Sequence, residues 1–182
     1  MTGRVDETFP LEFYRRLGSD LTSNDVTVVA DMHGAELNAF LEDGSIALLK
    51  VSDDELDQDG MLRDLDVPSV LDAMVRLEEQ GASNVVVSRA SLPALARLGG
   101  VPYKAVGPDI EPIDFRGAGD SMTAALAAAT RRGMGPTEAL RLACASGAAN
   151  VTRRGLGSAS KDLIQRLFDR VEVVQLDENG HE

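Results

Sequence analysis

Two hydrophobic rhythms alternate along this chain. Short apolar runs, rich in β-branched residues, occupy positions 26–31, 46–49, 84–88 and 171–176. Bounded by polar turns, such runs predict strands buried on both faces. Between them, apolar residues recur every three or four positions, which predicts helices. Leu11, Tyr14 and Leu17 give one over residues 10–20, with Pro10 suited to the first turn. Residues 35–41 give a second, closed by Gly44. The clearest amphipathic segment is Val67–Gln80, where Val70, Leu71, Met74, Val75 and Leu77 share a face and Gly81 is the stop. Residues 118–132 and 136–152 predict two long helices whose alanines and glycines permit close packing, and residues 161–170 predict a last one. Val101–Val106 reads as a strand at the sheet margin. Residues 90–96 read as an edge strand or a loop, because Pro93 lacks the N–H a ladder needs. The polar tail, 177–182, is expected to fray.

Strands alternating with helices predict an α/β fold: a Rossmann-type parallel sheet with helices on both faces. No repeat or low-complexity linker interrupts it, so residues 1–182 read as a single domain, and 182 residues suffice for one core. A hydrophobic fraction of 43% and a charged fraction of 26% are those of a soluble globular protein. No apolar run is long enough to span a membrane, and residues 1–20 lack the order of a signal peptide, so the expected location is the cytoplasm. The lone Cys144 rules out an internal disulfide, and no Cys/His cluster offers a zinc site. A net charge of −12 argues against nucleic acid as a partner, but not against ATP, which arrives with a divalent cation. Seven carboxylates fall within residues 53–66, a run that reads as a solvated face.

The chemistry concentrates in Asp114-Phe115-Arg116-Gly117-Ala118-Gly119-Asp120-Ser121. A glycine-rich turn enters an alanine-rich helix, and a helix N-terminus presents unpaired amides to an anion. Asp120 in that first turn is placed to take a proton from an attacking hydroxyl, while the amides of Gly117, Ala118 and Gly119 stabilise transferring charge. Arg116 is placed either to grip a phosphate or to be solvated.

This octet resembles the D-T-x-G-A-G-D signature of the PfkB (ribokinase-like) carbohydrate kinases, with Phe115 in place of the Thr. The resemblance implies that Asp120 is the catalytic base and that Gly117, Ala118 and Gly119 form the anion hole. It further implies ATP and Mg2+ as cofactors and a sugar or sugar phosphate as substrate. Residues 50–56 resemble the family's K-P-N-x-x-E-L segment, which makes Glu55 the acid that organises magnesium; Val51 and Ser52 replace the Pro and Asn. Residues 85–95 resemble a nucleotide-facing V-S-L-G-x-x-G-A-L hairpin, with Ser88 on the nucleotide side and Ala90 and Pro93 at glycine positions. Residues 139–155 resemble the helix that walls the adenine pocket; there Ala143, Gly147 and Ala148 are small either to admit a flat ring or to pack helices. His33, at a strand end, and Cys144, on an apolar helix face, take no assigned role.

Residues 1–5 resemble S-G-S-L-P, which lies mid-chain in family members, so the resemblance covers the C-terminal part of the family fold. The first strands, the lid and the sugar-holding motifs are expected from elsewhere: a missing N-terminal segment, a partner chain or a homo-oligomer. The reading is ATP-dependent phosphoryl transfer, nearest the phosphofructokinase and hexose kinase branch and incomplete by itself. The alternative is a non-catalytic truncated relative that binds nucleotide or a partner. Nothing in the sequence supports a dinucleotide-binding oxidoreductase, since no G-x-G-x-x-G follows a first strand.

Overall fold

A computed structural model describes residues 9–155, 157 and 159–182; the resemblance drawn for residues 1–5 lies outside the described residues. In chain order the elements are α1 (Leu11–Ser23), β1 (Val29–Asp31), α2 (Gly34–Asp43), β2 (Leu48–Ser52), α3 (Asp53–Gln58), α4 (Val67–Gln80), β3 (Val85–Arg89), β4 (Leu92–Leu98), β5 (Val101–Val106), α5 (Ala118–Arg132), α6 (Pro136–Val151), α7 (Lys161–Phe168) and β6 (Glu172–Gln175).

The strands form one six-stranded sheet in the order β1-β2-β3-β4-β5-β6. β1, β2 and β3 run parallel, with helices crossing between them, as expected. The remaining pairs are antiparallel, so the sheet is mixed rather than wholly parallel. For β3–β4 and β4–β5 loop length is the physical reason. Ala90 and Ser91 alone join β3 to β4, and Gly99 and Gly100 alone join β4 to β5. Two residues can reverse a chain but cannot carry it across a sheet.

Pro93 does not exclude β4 from the interior, where it pairs with both β3 and β5. The β3–β4 register slips between Val87↔Leu95 and Arg89↔Leu92, leaving an extra residue on β4 around Pro93. A ladder already interrupted by a bulge loses nothing to a missing N–H. Pairing with β5 starts only at Ala94. The margin belongs to β6, which displaces β5 inward.

Alternate strand residues feed two cores. Ala30, Leu49, Val51, Val85, Val87 and Leu95 pack under α1–α4. Leu48, Val86, Ala96 and Ala105 face the other way, under α5–α7. Helices therefore cover both faces, as the alternation predicts.

One further expectation holds in the main and one is corrected: most carboxylates of the acidic stretch are exposed, as a solvated face requires, and the tail departs from its reading. The acidic stretch holds a helix, α3, started by a capping box in which Ser52 and Glu55 satisfy each other's backbone amides. Within it Asp53 is buried, with Oδ2 3.6 Å from Nε of the equally buried Arg89. The C-terminal tail is tied down rather than frayed. Asp177 accepts hydrogen bonds from the amides of Asn179 and His181, and Glu178 pairs with Arg97.

Candidate active site

The C-terminal ends of β1 and β2 meet the start of α5, where ligands of open α/β sheets bind. Gly117 is the N-cap of α5, with φ 74° and ψ 9°. An L side chain in that left-handed conformation costs roughly 1 kcal/mol or more, so glycine belongs there. Gly119 and Asp120 follow in the first turn, where a helix leaves its amides without carbonyl partners and favours an anion. The Ala118 amide is occupied, donating to the carbonyl of Phe115 at 3.3 Å. The turn is held from α6. The fully buried Asn150 donates Nδ2–H to the Arg116 carbonyl at 2.7 Å, and the amides of Ile113 and Asp114 donate to the Val151 carbonyl.

Gly117, Gly119 and Asp120 line one side of a cleft of about 590 Å³; Asp31, His33 and Glu36, and Lys50, Ser52 and Glu55, are among the residues lining the rest. Lys50 is only 5% exposed, and its Nζ lies 3.2 Å from Asp31 Oδ2. Thr123 of α5 places its hydroxyl 3.0 Å from that same carboxylate oxygen and 3.0 Å from the Gly119 carbonyl. A Cβ on Gly119 would stand 2.8 Å from Lys50 Nζ. Glycine is needed here for the approach of the ammonium, not for backbone freedom. A buried ion pair thus lies against the glycine turn. Sequence reading left Asp31, Lys50 and Thr123 without a role. The available signal was that two apolar strands end in charged residues of opposite sign.

Glu55 faces the cleft from α3. Its Oε2 accepts from the Ser52 amide at 2.8 Å and the Ser52 hydroxyl at 2.7 Å. Burial opposes its ionisation. The Ser52 hydrogen bonds, with the nearby charges of Lys50 and His33, outweigh that and hold the carboxyl below its ordinary value. Its other oxygen, Oε1, lies 3.9 Å from His33 Nε2. Among the described residues no group of three or more His, Cys, Asp or Glu could hold a metal ion by itself. An ionised carboxylate with one oxygen left for the cleft nevertheless fits magnesium, which is often held by one or two carboxylates and completed by phosphate and water. The first-turn amides and the Lys50 ammonium likewise fit nucleotide phosphates.

The remaining sequence candidates do not line this cleft. Ser88 is the register partner of Ser52, opposite the bulge in β4. Arg116 is exposed and grips Asp114 through Nε at 3.0 Å and Nη2 at 2.7 Å, so its guanidinium is engaged locally. Ala143 is fully buried in the core beneath α5–α7, and Ala148 packs partly buried against it. A Cβ on Gly147 would stand 2.8 Å from Met122 Cγ, so close packing of α6 on α5 accounts for that glycine.

Comparison with known proteins bears on this geometry. The family model described as pfkB family carbohydrate kinase matches residues 1–163. The 1-phosphofructokinase of Bacillus subtilis is 29% identical over 179 residues, covering 97% of this chain and 57% of that protein. The structure of phosphofructokinase-2 from Escherichia coli in complex with fructose-6-phosphate superposes with a TM-score of 0.81 at 26% identity, covering 93% of this chain and 54% of that one. Arabidopsis thaliana ribokinase complexed with ribose and ATP shares the fold, with a TM-score of 0.75 at 23% identity over 87% of this chain and 53% of that one. The chain spans about half the length of these relatives.

Proposed function

The chain belongs to the pfkB family of carbohydrate kinases, and from that premise we propose that it transfers the γ-phosphoryl group of ATP to a hydroxyl of a sugar or sugar phosphate. Residues 1–182 serve as one unit, the nucleotide-binding and catalytic portion of such an enzyme. One observation carries the reading. Asp120 stands in the first turn of α5, in the same cleft as the Lys50–Asp31 pair and Glu55.

Asp120 takes the proton from the acceptor hydroxyl as its oxygen attacks phosphorus, and the bond to the leaving ADP oxygen breaks. The amides of Gly117 and Gly119 bind the oxygens on which charge gathers, and the buried Lys50 ammonium adds positive potential beneath them. Glu55 would hold magnesium, which supplies charge neutralisation on the phosphates when bound.

The test measures ADP release from Mg·ATP with fructose 6-phosphate and with fructose 1-phosphate. It uses the 182-residue chain alone and mixed with the portion of the B. subtilis relative to which it does not align. Asp120→Asn should lower turnover about 10²- to 10⁴-fold while changing nucleotide affinity little. An unchanged rate in Asp120→Asn removes the base assignment. A second reading, a nucleotide- or partner-binding module without turnover, is favoured by Ala90 and Pro93 at hairpin positions where the family carries glycine. Nucleotide binding with no ADP release in either mixture would establish it.

A further inference from the structure

Asn150 lies in the last turn of α6, fully buried, with both ends of its side chain engaged. Nδ2 donates to the Arg116 carbonyl at 2.7 Å, and Oδ1 accepts the Gly157 amide at 3.1 Å. These partners fix the orientation of the side chain, because a backbone carbonyl only accepts and a backbone N–H only donates. The Arg116 carbonyl shares its peptide plane with the Gly117 amide. In a trans peptide the N–H points away from the C=O, so pinning that carbonyl sets the direction of the amide. The peptides on either side have anchors of their own. Asp114 Oδ1 accepts the Arg116 amide, the Phe115 carbonyl accepts that of Ala118, and the Gly117 carbonyl accepts that of Ser121. Among the described residues no other hydrogen bond holds the 116–117 peptide, and the Gly117 amide donates to none of them. Glycine takes either sign of φ with ease, so Gly117 itself resists little if this peptide rotates.

We propose that Asn150 is a positioning residue that keeps the Gly117 amide aimed at a nucleotide phosphate and ties that aim to Gly157, beyond the end of α6. The assignment rests on the kinase reading, in which Gly117 lines the cleft and its amide binds a phosphate oxygen. Asn150 can serve as a fixed post because α6 packs tightly on α5, with Gly147 against Met122. One carboxamide then joins two segments on opposite sides of α6 in sequence, and the coupling runs both ways. A phosphate held by Gly117 steadies the Arg116 carbonyl, hence Asn150 and Gly157. Displacing Gly157 frees Asn150 and lets the 116–117 peptide turn its amide out of line.

The test adds tripolyphosphate, the phosphate chain of a nucleotide without its sugar or base, at a constant excess of MgCl2. Nitrogen–proton NMR follows the backbone amides of Gly117, Gly119 and Gly157 and the side-chain amide of Asn150. All four signals should shift together, with one midpoint. Asn150→Ala should weaken binding roughly three- to tenfold, as loss of a single hydrogen bond predicts, and should leave the Gly157 signal still. Leu77→Ala opens a cavity in the core beneath α1–α4, so it should lose stability in urea titrations yet keep the affinity of the unsubstituted chain. That contrast separates the aim of an amide from stability alone. An Asn150→Ala chain that binds no more weakly than Leu77→Ala overturns the assignment. If Gly119 shifts while Gly117, Asn150 or Gly157 stays still, phosphate binds without this link and the assignment fails alone. Spectra of the unsubstituted chain decide that point even where Asn150→Ala does not fold. If none of the four signals moves, the phosphate-binding reading of the turn fails with it.

Discussion

Lys50→Met tests the buried ion pair most sharply. The substitution keeps the length and apolar stem of the side chain but removes the ammonium. Asp31, with a side chain only 13% exposed, then loses its counter-ion and keeps only the Thr123 hydroxyl. Breaking a buried pair by removing one partner costs roughly 3–5 kcal/mol. The surviving Thr123 bond and the residual exposure of Asp31 put this case near the lower end, about 3 kcal/mol. For a chain of this size that is a fall in Tm of roughly 6–12 °C. Urea titration followed by circular dichroism gives the free energy, and a thermal scan gives the midpoint. Adding Asp31→Asn should recover at least half of the loss, because the stranded charge is then gone. A midpoint unchanged by Lys50→Met, or a double variant weaker than the single, would show that the pair does not hold the turn.

Three other outcomes follow from particular residues. Ala90 is a non-glycine residue with φ 45°, so Ala90→Gly should raise unfolding stability by about 1 kcal/mol in urea titrations. Burial pushes the Cys144 thiol up to about 12, so an aromatic disulfide reagent at pH 8 should label it only in urea. Its neutral form is favoured in the fold, hence its contribution is intact below the ordinary thiol range and is lost as pH rises toward 12. The Arg116 guanidinium holds the Asp114 carboxyl down at about 2. Its favourable pairing is present above the ordinary carboxylate range and disappears as pH falls toward 2. Carboxyl NMR should show it rising toward about 3.9 in Arg116→Ala without reaching it, because the backbone amide of residue 116 still donates to Asp114.

Much of the architecture is legible because burial dictates residue type. The runs ending at Asp31 and near Lys50 could only be buried strands, and the octet's glycines placed Asp120 at a helix start. The failures share a cause in tertiary context. Pro93 is forbidden in a regular ladder, but a register slip in β3–β4 created the one place that accepts it. The acidic run is mostly solvated, but counting charge over a window hides the buried Asp53 within it. Ser52 and Glu55 are three residues apart, the spacing of a capping box, and Arg89 arrives from β3 to meet Asp53. Gly147 could not be divided between ligand and packing from sequence, since a missing Cβ looks the same in either setting; Met122 of α5 supplies a packing reason that only the fold reveals.

The order of the strands in the sheet is also their order along the chain. From β1 to β5 each strand can therefore join the edge laid down just before it, over connections far shorter than the chain. Such local closure is fast. The cleft obeys a different clock. Thr123 must return across 92 residues to reach Asp31, and the entropy of that closure is met only after α5 docks on β1. Strands β1 to β5 can thus assemble while the cleft is still open, and the cleft takes shape only when α5 arrives.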